Sequence, residues 1–341
     1  MRVDFRSDTL TKPTKGMLDA MFSAEVGDDV FVEDPTINAL EQKSAKLFGK
    51  EAGLFCPSGT QTNQIAINVH TRPGDEVICD ILSHIHVYEG GGIAANSGVS
   101  TTLLNGAKGQ ITAAQIEAVI KSDNVHFPKS TLVSLENTCN KAGGTVYDLN
   151  KIQEIQALCT SRKMAIHLDG ARIFNAIEAA GYSALDIGKC FDSISICLSK
   201  GLGAPVGSVL VGTQEFIHQA RRVRKRFGGG MRQAGYLAAA GIYALDNNVD
   251  RLKMDHDNAI HLGKAFESLS FVTEVTPVES NIVMVHFDSP RTTETIMELL
   301  TKNDIHALTL TPTSIRLVTH LDVSSEQLDF ALNYISKMNF S

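Results

Sequence analysis

The chain is 341 residues long, 43% apolar and 20% charged, with a formal net charge of −7. That length allows about two domains of roughly 150 residues each, and the apolar share excludes a disordered chain. With no tryptophan, 6% aromatic residues and an acidic balance, the chain has neither stacking platforms for nucleic acid nor a global attraction to anionic membranes.

The N-terminus, Met1 to Asp8, has no apolar h-region, so no secretory signal is expected. Asp34-Pro35 opens a helix in which Ile37, Leu40, Leu47 and Phe48 recur near helical spacing, and Gly49 ends it. Leu54–Cys56 is a short strand leading to Ser58-Gly59-Thr60, where a polar-started helix begins. The turn Pro73-Gly74-Asp75 precedes the strand Val77–Cys79. His84-Ile85-His86 reads as strand, with one ring facing inward and one outward. Thr112 caps a helix carrying Ile116, Val119 and Ile120, and Thr131–Leu135 is a strand. Asp148 caps a helix with Ile152, Ile155, Leu158 and Cys159. The strand Met164–Leu168 ends at Asp169, and Ile194–Leu198 ends at Ser199-Lys200-Gly201. From Thr213 a helix carries the apolar stripe Phe216, Ala220, Val223 and Phe227, with Arg221, Arg222, Arg224, Lys225 and Arg226 read as a solvated face. The triplet Gly228-Gly229-Gly230 follows, which permits close backbone approach or unusual torsions.

Short apolar strands alternating with helices predict an α/β fold, a large mostly parallel sheet covered by helices on both faces. This part, with its N-terminal arm, is expected to span residues 1–250. Beyond it come a charged helix (Val249–Leu269), strands Asn281–Phe287 and Ile315–Leu321, and a capping box Ser324-Ser325-Glu326-Gln327 before a final helix. That grammar predicts a smaller α+β domain over 251–341. The six cysteines form no C-x-x-C pair and read as reduced core residues, which suits a cytoplasmic protein. The apolar stretch Ala234–Leu245 is too short for a membrane span, which takes roughly 18 residues.

Two apolar strands end in a charged residue, Asp169 and Lys200. Ligands of open α/β sheets sit outside the carboxyl ends of the strands, so both side chains are expected in one crevice. An Asp–Lys ion pair at the sheet edge is the competing reading. Burial disfavours the charged amine and makes it a usable nucleophile. A lysine imine with an aspartate on a pyridine nitrogen is the arrangement that pyridoxal phosphate requires. Ser58-Gly59-Thr60, at a helix start, offers backbone N–H groups to a phosphate. The run Gly201 to Gly207 lacks the spacing of a dinucleotide fingerprint, which disfavours a nicotinamide enzyme. His84-Ile85-His86 and His167-Leu168-Asp169 do not amount to a metal site, and no metal is expected. Arg172 and Arg316 suit a carboxylate, although a surface salt bridge is the plainer reading of Arg316 alone.

The motifs Asp4-Phe5-Arg6-Ser7-Asp8-Thr9, Gly27-Asp28-Asp29-Val30, Pro57-Ser58-Gly59-Thr60-Gln61, His167-Leu168-Asp169-Gly170-Ala171-Arg172, Leu198-Ser199-Lys200-Gly201-Leu202-Gly203, Gly228 to Gln233 and Arg316-Leu317-Val318-Thr319-His320 occur in this order. Together they span nearly the whole chain, which resembles the low-specificity L-threonine aldolases, pyridoxal-phosphate enzymes of the aspartate-aminotransferase-like fold (fold type I). The resemblance implies that Lys200 carries the cofactor as an aldimine with Asp169 on its ring nitrogen. It implies that Gly59 and Thr60 bind the phosphate, with Arg232 reaching it from a neighbouring subunit. Ser7, Arg172 and Arg316 would hold the substrate carboxylate, His84 would stack on the ring, and His126 would lie near the substrate hydroxyl. It further implies a homotetramer, built as a dimer of dimers, acting on a small amino acid. The chain departs from the family at Phe31-Val32, where tyrosine-glycine is usual, and at Cys139, where histidine is common.

The activity so implied is retro-aldol cleavage of L-threonine or L-allo-threonine to glycine and acetaldehyde, with His84, His126 or a water as the base. A β-eliminating lyase using the same Lys200–Asp169 pair, or a non-catalytic or metal-dependent α/β protein, are the alternatives.

Overall fold

The computed structural model describes residues 1–338. The chain opens with a two-residue strand, β1 (Val3–Asp4), and then lays down β2 (Ala52–Cys56), β3 (Glu76–Asp80), β4 (Ser100–Leu104), β5 (Ser130–Glu136), β6 (Ala165–Gly170), β7 (Ser193–Cys197) and β8 (Ser208–Gly212). The last seven form one sheet in the order β2-β8-β7-β6-β5-β3-β4. Every residue of β3, β7 and β8 is buried. That is why these strands read as continuous apolar runs: helices cover both faces.

All strands of this sheet run parallel except β8, which is antiparallel to both its neighbours. An antiparallel neighbour needs no crossover. The segment from Leu198 to Gly207 therefore stays at the carboxyl edge of the parallel strands, and it carries Lys200. The reversal is absent from the expectations, as are β4 and β8 themselves.

The helix starts are built as their sequences predict. Asp34 accepts from the Thr36 and Ile37 N–H groups at 3.1 and 3.0 Å, and Ser58 Oγ accepts from the Gln61 N–H at 3.2 Å. Capping boxes close at Thr112 and Ser324. His84-Ile85-His86 is not strand: it is a single helical turn (His84–Val87) after β3, with His84 half-buried and His86 exposed.

The remaining strands are β9 (Val272–Val275), β10 (Ile282–Phe287), β11 (Ile305–His306), β12 (Leu308–Thr311) and β13 (Ser314–Val318). A four-stranded antiparallel sheet, β12-β13-β10-β9, packs on a core containing Leu262, Phe266, Ile296, Leu317 and Ala331. The arm joins this unit: β1 pairs in parallel with β11, and Val3 and Phe5 lie in the same core. The helix Leu252–Glu267 spans both cores, with Leu252 in the large one and Ala259, Leu262 and Phe266 in the small one. The two parts are thereby held together by packed side chains. Among the described residues no helix is long and apolar enough to cross a membrane, and all six cysteines are buried and unpaired.

Val32 adopts the left-handed region, with φ 62° and ψ 28°. A β-branched residue there is strained, because Cβ crowds the following carbonyl. Its side chain is 51% exposed, so packing offsets little of that strain. Val32→Gly should raise the melting midpoint by about 2 °C, as expected for about 1 kcal/mol in a chain of this size. Thermal melts of the two proteins provide the check, and a lower midpoint for the glycine variant would contradict the strain.

Candidate active site

The site forms where the parallel strands end. Register pairs Glu136 of β5 with Asp169 of β6, and both Cys197 of β7 and Cys56 of β2 with Ser208 of β8. The segments leaving those ends bring Asn140, Arg172, Lys200 and the Ser58-Gly59-Thr60 turn to one edge. Asp169 is 3% exposed, with its carboxylate accepting from Asn63 Nδ2 at 2.9 Å and the Ala171 N–H at 3.1 Å. The half-buried Lys200 gives its carbonyl to Thr11 Oγ1 at 2.9 Å and to the Gly203 N–H at 2.8 Å. Among the described residues its Nζ has no hydrogen bond and no ion pair, so the Asp–Lys ion pair of the competing reading does not form.

A second set of groups lies around Asp169. His84 Nδ1 is 2.9 Å from Glu89 Oε1, and Asn63 Nδ2 donates to that same oxygen at 2.9 Å. Gln64 Nε2 holds the other Glu89 oxygen at 2.6 Å. One ligating atom each of His84, Glu89 and Asp169 falls within 4.8 Å of the others. The Asn63 amide donates to both carboxylates. Burial opposes the charged form of His84, but the Glu89 hydrogen bond and nearby carboxylates outweigh it and raise the ring's pKa. Glu136 is pushed up to about 7, first by burial and then by the neighbouring Asp169 charge. Its two oxygens accept from the backbone N–H groups of His84 at 2.8 Å and Asn140 at 2.9 Å.

On the opposite side two guanidinium groups converge. Arg172 grips Asp8 with Nε and Nη2, both at 2.7 Å, and gives Nη1 to Asn140 Oδ1 at 3.2 Å. Arg316 reaches the same Asn140 oxygen at 2.9 Å and the Arg6 carbonyl at 3.2 Å, while its buried Nε has no partner. Arg316 is 7% exposed and forms no ion pair among the described residues, so the surface salt bridge fails for it. Arg172 has its carboxylate already. Arg316 is the cation left with unspent charge, and burial and the nearby Arg172 lower its pKa.

The remaining expected residues divide. Gly59 and the exposed Thr60 begin the helix Gly59–His70, where a Cβ on Gly59 would meet only Ser208 Oγ at 3.5 Å, a buried hydroxyl with no hydrogen-bond partner. Ser7 caps the short turn Asp8–Leu10 and accepts from Thr9 Oγ1 at 2.8 Å. Arg232 is exposed and pairs with Asp28 at 2.9 Å. Exposed His126 precedes the first residue of β5, at the edge opposite Glu136. Neither joins the cluster within one chain. Cys139 is buried, its thiol donating to the carbonyls of Glu136 at 3.1 Å and Gly109 at 3.4 Å. Arg224 is not solvated either: it is buried between Asp29, at 2.5 Å, and the Phe55 carbonyl, at 2.7 Å. Gly229 lies against Gln61, where a Cβ would come within 2.0 Å of the side-chain oxygen.

Residues 4–290 match the family model of the β-eliminating lyases. Over 327 residues the chain is 43% identical to the low-specificity L-threonine aldolase of Escherichia coli K12, covering 96% of each protein. Over 338 residues it is 40% identical to low-specificity L-threonine aldolase 1 of Arabidopsis thaliana, covering 97% of this chain and 94% of that one. This chain belongs to the low-specificity L-threonine aldolase family. The threonine aldolase of Leishmania major superposes with a TM-score of 0.86 at 22% identity, covering 98% of both chains. A serine palmitoyltransferase of Sphingomonas wittichii superposes at 0.75 and 16% identity, over 98% of this chain and 86% of that one. The fold is that of the fold-type I pyridoxal-phosphate enzymes. The residues fit such a cofactor: a free amine, a buried carboxylate, an open helix start beside an orphaned hydroxyl, and a ring-bearing histidine.

Asn63, Glu89, Glu136 and Asn140 are the site residues that sequence reasoning missed. Only Glu136 had a signal, as a charged residue closing an apolar strand like Asp169.

Two histidines behind the site, buried His167 and half-buried His70, contribute to a pH response, as does buried His256. Burial pushes His70 down to about 4 and His167 down to about 3. Both folded values lie below the unfolded one, so the unfolded chain binds more protons and stability falls as pH drops from about 6.5 toward 4. The melting midpoint should decline across that window, and His70→Gln, which gains no proton, should decline less. Parallel decline of both proteins would contradict the assignment.

Proposed function

We propose that this chain cleaves L-threonine, L-allo-threonine and related L-3-hydroxy-α-amino acids between Cα and Cβ, releasing glycine and an aldehyde, with pyridoxal phosphate as cofactor. The observation that carries this reading is the pairing of an unengaged Lys200 amine and a buried Asp169 with Arg316, a buried cation that lacks a carboxylate. When bound, the cofactor's pyridinium ring takes up the electron pair released as the Cα–Cβ bond breaks.

The protein's own groups supply the rest. Lys200 would hold the cofactor, Asp169 would pair with its ring nitrogen, and Gly59, Thr60 and the Ser208 hydroxyl would receive the phosphate. Arg316 binds the substrate carboxylate. Arg172, fixed by Asp8 and sharing Asn140 with Arg316, presents the second hydrogen of its Nη1 beside it, and Ser7 lies on the same arm. That anchor would orient the substrate for cleavage of its Cα–Cβ bond. His84 would lie against the ring and serve, in its neutral form, as the base for the β-hydroxyl proton: its Nδ1 is committed to Glu89, which leaves Nε2 to accept. The chain works as a homotetramer, with Arg232 and His126 supplied to the sites of neighbouring copies. Exposed Val125, at 98%, adjoins His126, and exposed Phe31, at 69%, follows Asp28, the carboxylate that pairs with Arg232; both support buried subunit contacts there. The two functional parts divide near residue 250, as 1–250 and 251–341, with the arm of the first part (Val3 and Phe5) packed into the core of the second.

The β-eliminating lyase description of the matching family model favours a second reading, in which ammonia and a keto acid are released. Product analysis separates the two. Supplied with pyridoxal phosphate and L-threonine, the protein should form acetaldehyde and glycine in equal amounts, whereas ammonia with a keto acid would overturn the aldolase. Lys200→Ala should lose the visible cofactor band and nearly all turnover. Arg316→Ala should raise KM at least about tenfold while leaving cofactor loading intact, and an unchanged KM would remove Arg316 from the substrate site. His84→Asn should lower kcat by about 10²-fold, and a wild-type rate would exclude it as the base.

A further inference from the structure

Asn63 stands between the two carboxylates of the site, and its amide has only one possible orientation. Carboxylates accept and do not donate, so the atom 2.9 Å from both Glu89 Oε1 and Asp169 Oδ2 is the NH2 group, which directs one proton to each. The amide oxygen is left facing His167 Nε2 at 3.1 Å, and that nitrogen must carry a hydrogen. Burial keeps the His167 ring neutral, so its Nδ1 is bare. Ser193 Oγ, 2.8 Å from Nδ1, therefore donates to it and accepts in turn from His70 Nε2 at 2.8 Å. Each link has one allowed direction, and all of them run toward the carboxylates.

We propose that Asn63 is a positioning residue for the cleavage reaction: oriented by the His167–Ser193–His70 chain, its amide clamps Asp169 to Glu89 and so fixes the cofactor-facing carboxylate relative to the His84 ring. The proposal rests on the roles given above to Asp169 and His84. Three properties of the cluster call for such a clamp. The two carboxylates and the His84 ring lie within a few ångströms of one another, and carboxylates that close repel unless a donor lies between them. A lysine or an ion in that place would compete with the ring nitrogen for Asp169, whereas a neutral amide donates without adding charge. The relay behind it is neutral throughout, so it transmits orientation and no net field.

The test begins on the cofactor-free chain, so that it can fail independently of the proposed reaction. Nitrogen-15 NMR of histidine-labelled protein near pH 7 should show His167 as the neutral Nε2–H form, and an Nδ1–H form or an imidazolium would overturn the relay. Two substitutions then separate orientation from packing. His167→Gln keeps an N–H donor for the Asn63 oxygen, while His167→Phe fills the space and donates nothing. With pyridoxal phosphate and L-threonine, His167→Phe should lower kcat about tenfold with KM within about threefold, and His167→Gln should stay within about threefold of wild type. Equal loss in both variants, or none in His167→Phe, would overturn the proposal. Asn63→Asp has the same shape but no donor, and keeps the test open if the phenylalanine variant does not fold. It should weaken pyridoxal phosphate binding to the cofactor-free chain at least about tenfold by fluorescence titration, and unchanged binding would contradict the clamp. A wild-type chain that binds no pyridoxal phosphate would sink the functional reading, while the histidine spectrum would still decide the relay.

Discussion

The buried ion pair between Asp8 and Arg172 joins the three parts of the molecule. Asp8 comes from the N-terminal arm, Arg172 follows β6 of the large sheet, and Asn281, at the entry to β10 of the small sheet, donates to the same carboxylate at 3.3 Å. Both charges are almost wholly withdrawn from water. Burial alone would raise the Asp8 pKa, but the Arg172 guanidinium and its hydrogen bonds outweigh that and hold it down to about 2. A pair this deep contributes stability only while both partners are present, because either one left alone would be an uncompensated buried charge. The arm's strand pairing with β11 lies on one side of this junction, and the Asn140 oxygen shared by Arg172 and Arg316 on the other.

The junction also gives the site a polarity. Carboxyl groups (Asp169, Glu89 and Glu136) collect on the side of the His84 turn. The guanidinium groups collect on the side of the small sheet. Asn140 lies between the two sides: its backbone N–H goes to Glu136 and its side-chain oxygen to both arginines. Glu136, through its two backbone contacts, ties the His84 turn to the segment that carries Asn140. A zwitterionic amino acid, cationic at one end and anionic at the other, matches that layout, and Lys200 sits at the same strand edge.

What the sequence disclosed follows from how each residue is recognised. Asp169 and Lys200 stood out because each closes an apolar run, and a charge at a strand end is conspicuous against its neighbours. The helix caps at Asp34, Thr112, Asp148 and Ser324 were legible because capping is decided within four residues. The reversal of β8 was not, since Ser208–Gly212 has the same apolar composition as the parallel strands and direction leaves no mark on composition. Asn63 and Glu89 carry no periodic signal: their roles arise from pairing across 26 residues with each other and 106 residues from Asn63 to Asp169. Arg224 was misread because helical spacing identifies a buried stripe but not the carboxylate of Asp29 waiting behind its margin. Arg316 was read from its type alone, and its lack of a carboxylate partner could come only from the tertiary structure.

The central claim is that charge at the strand ends is arranged for a pyridoxal ring on one side and an amino-acid carboxylate on the other. A crystal structure of the protein with pyridoxal phosphate and glycine tests it most directly. The account predicts the ring nitrogen within hydrogen-bond distance of Asp169, the phosphate at the Gly59–Thr60 helix start, and the glycine carboxylate on Arg316. A ring nitrogen facing away from Asp169, or a carboxylate bound elsewhere than Arg316, would contradict it.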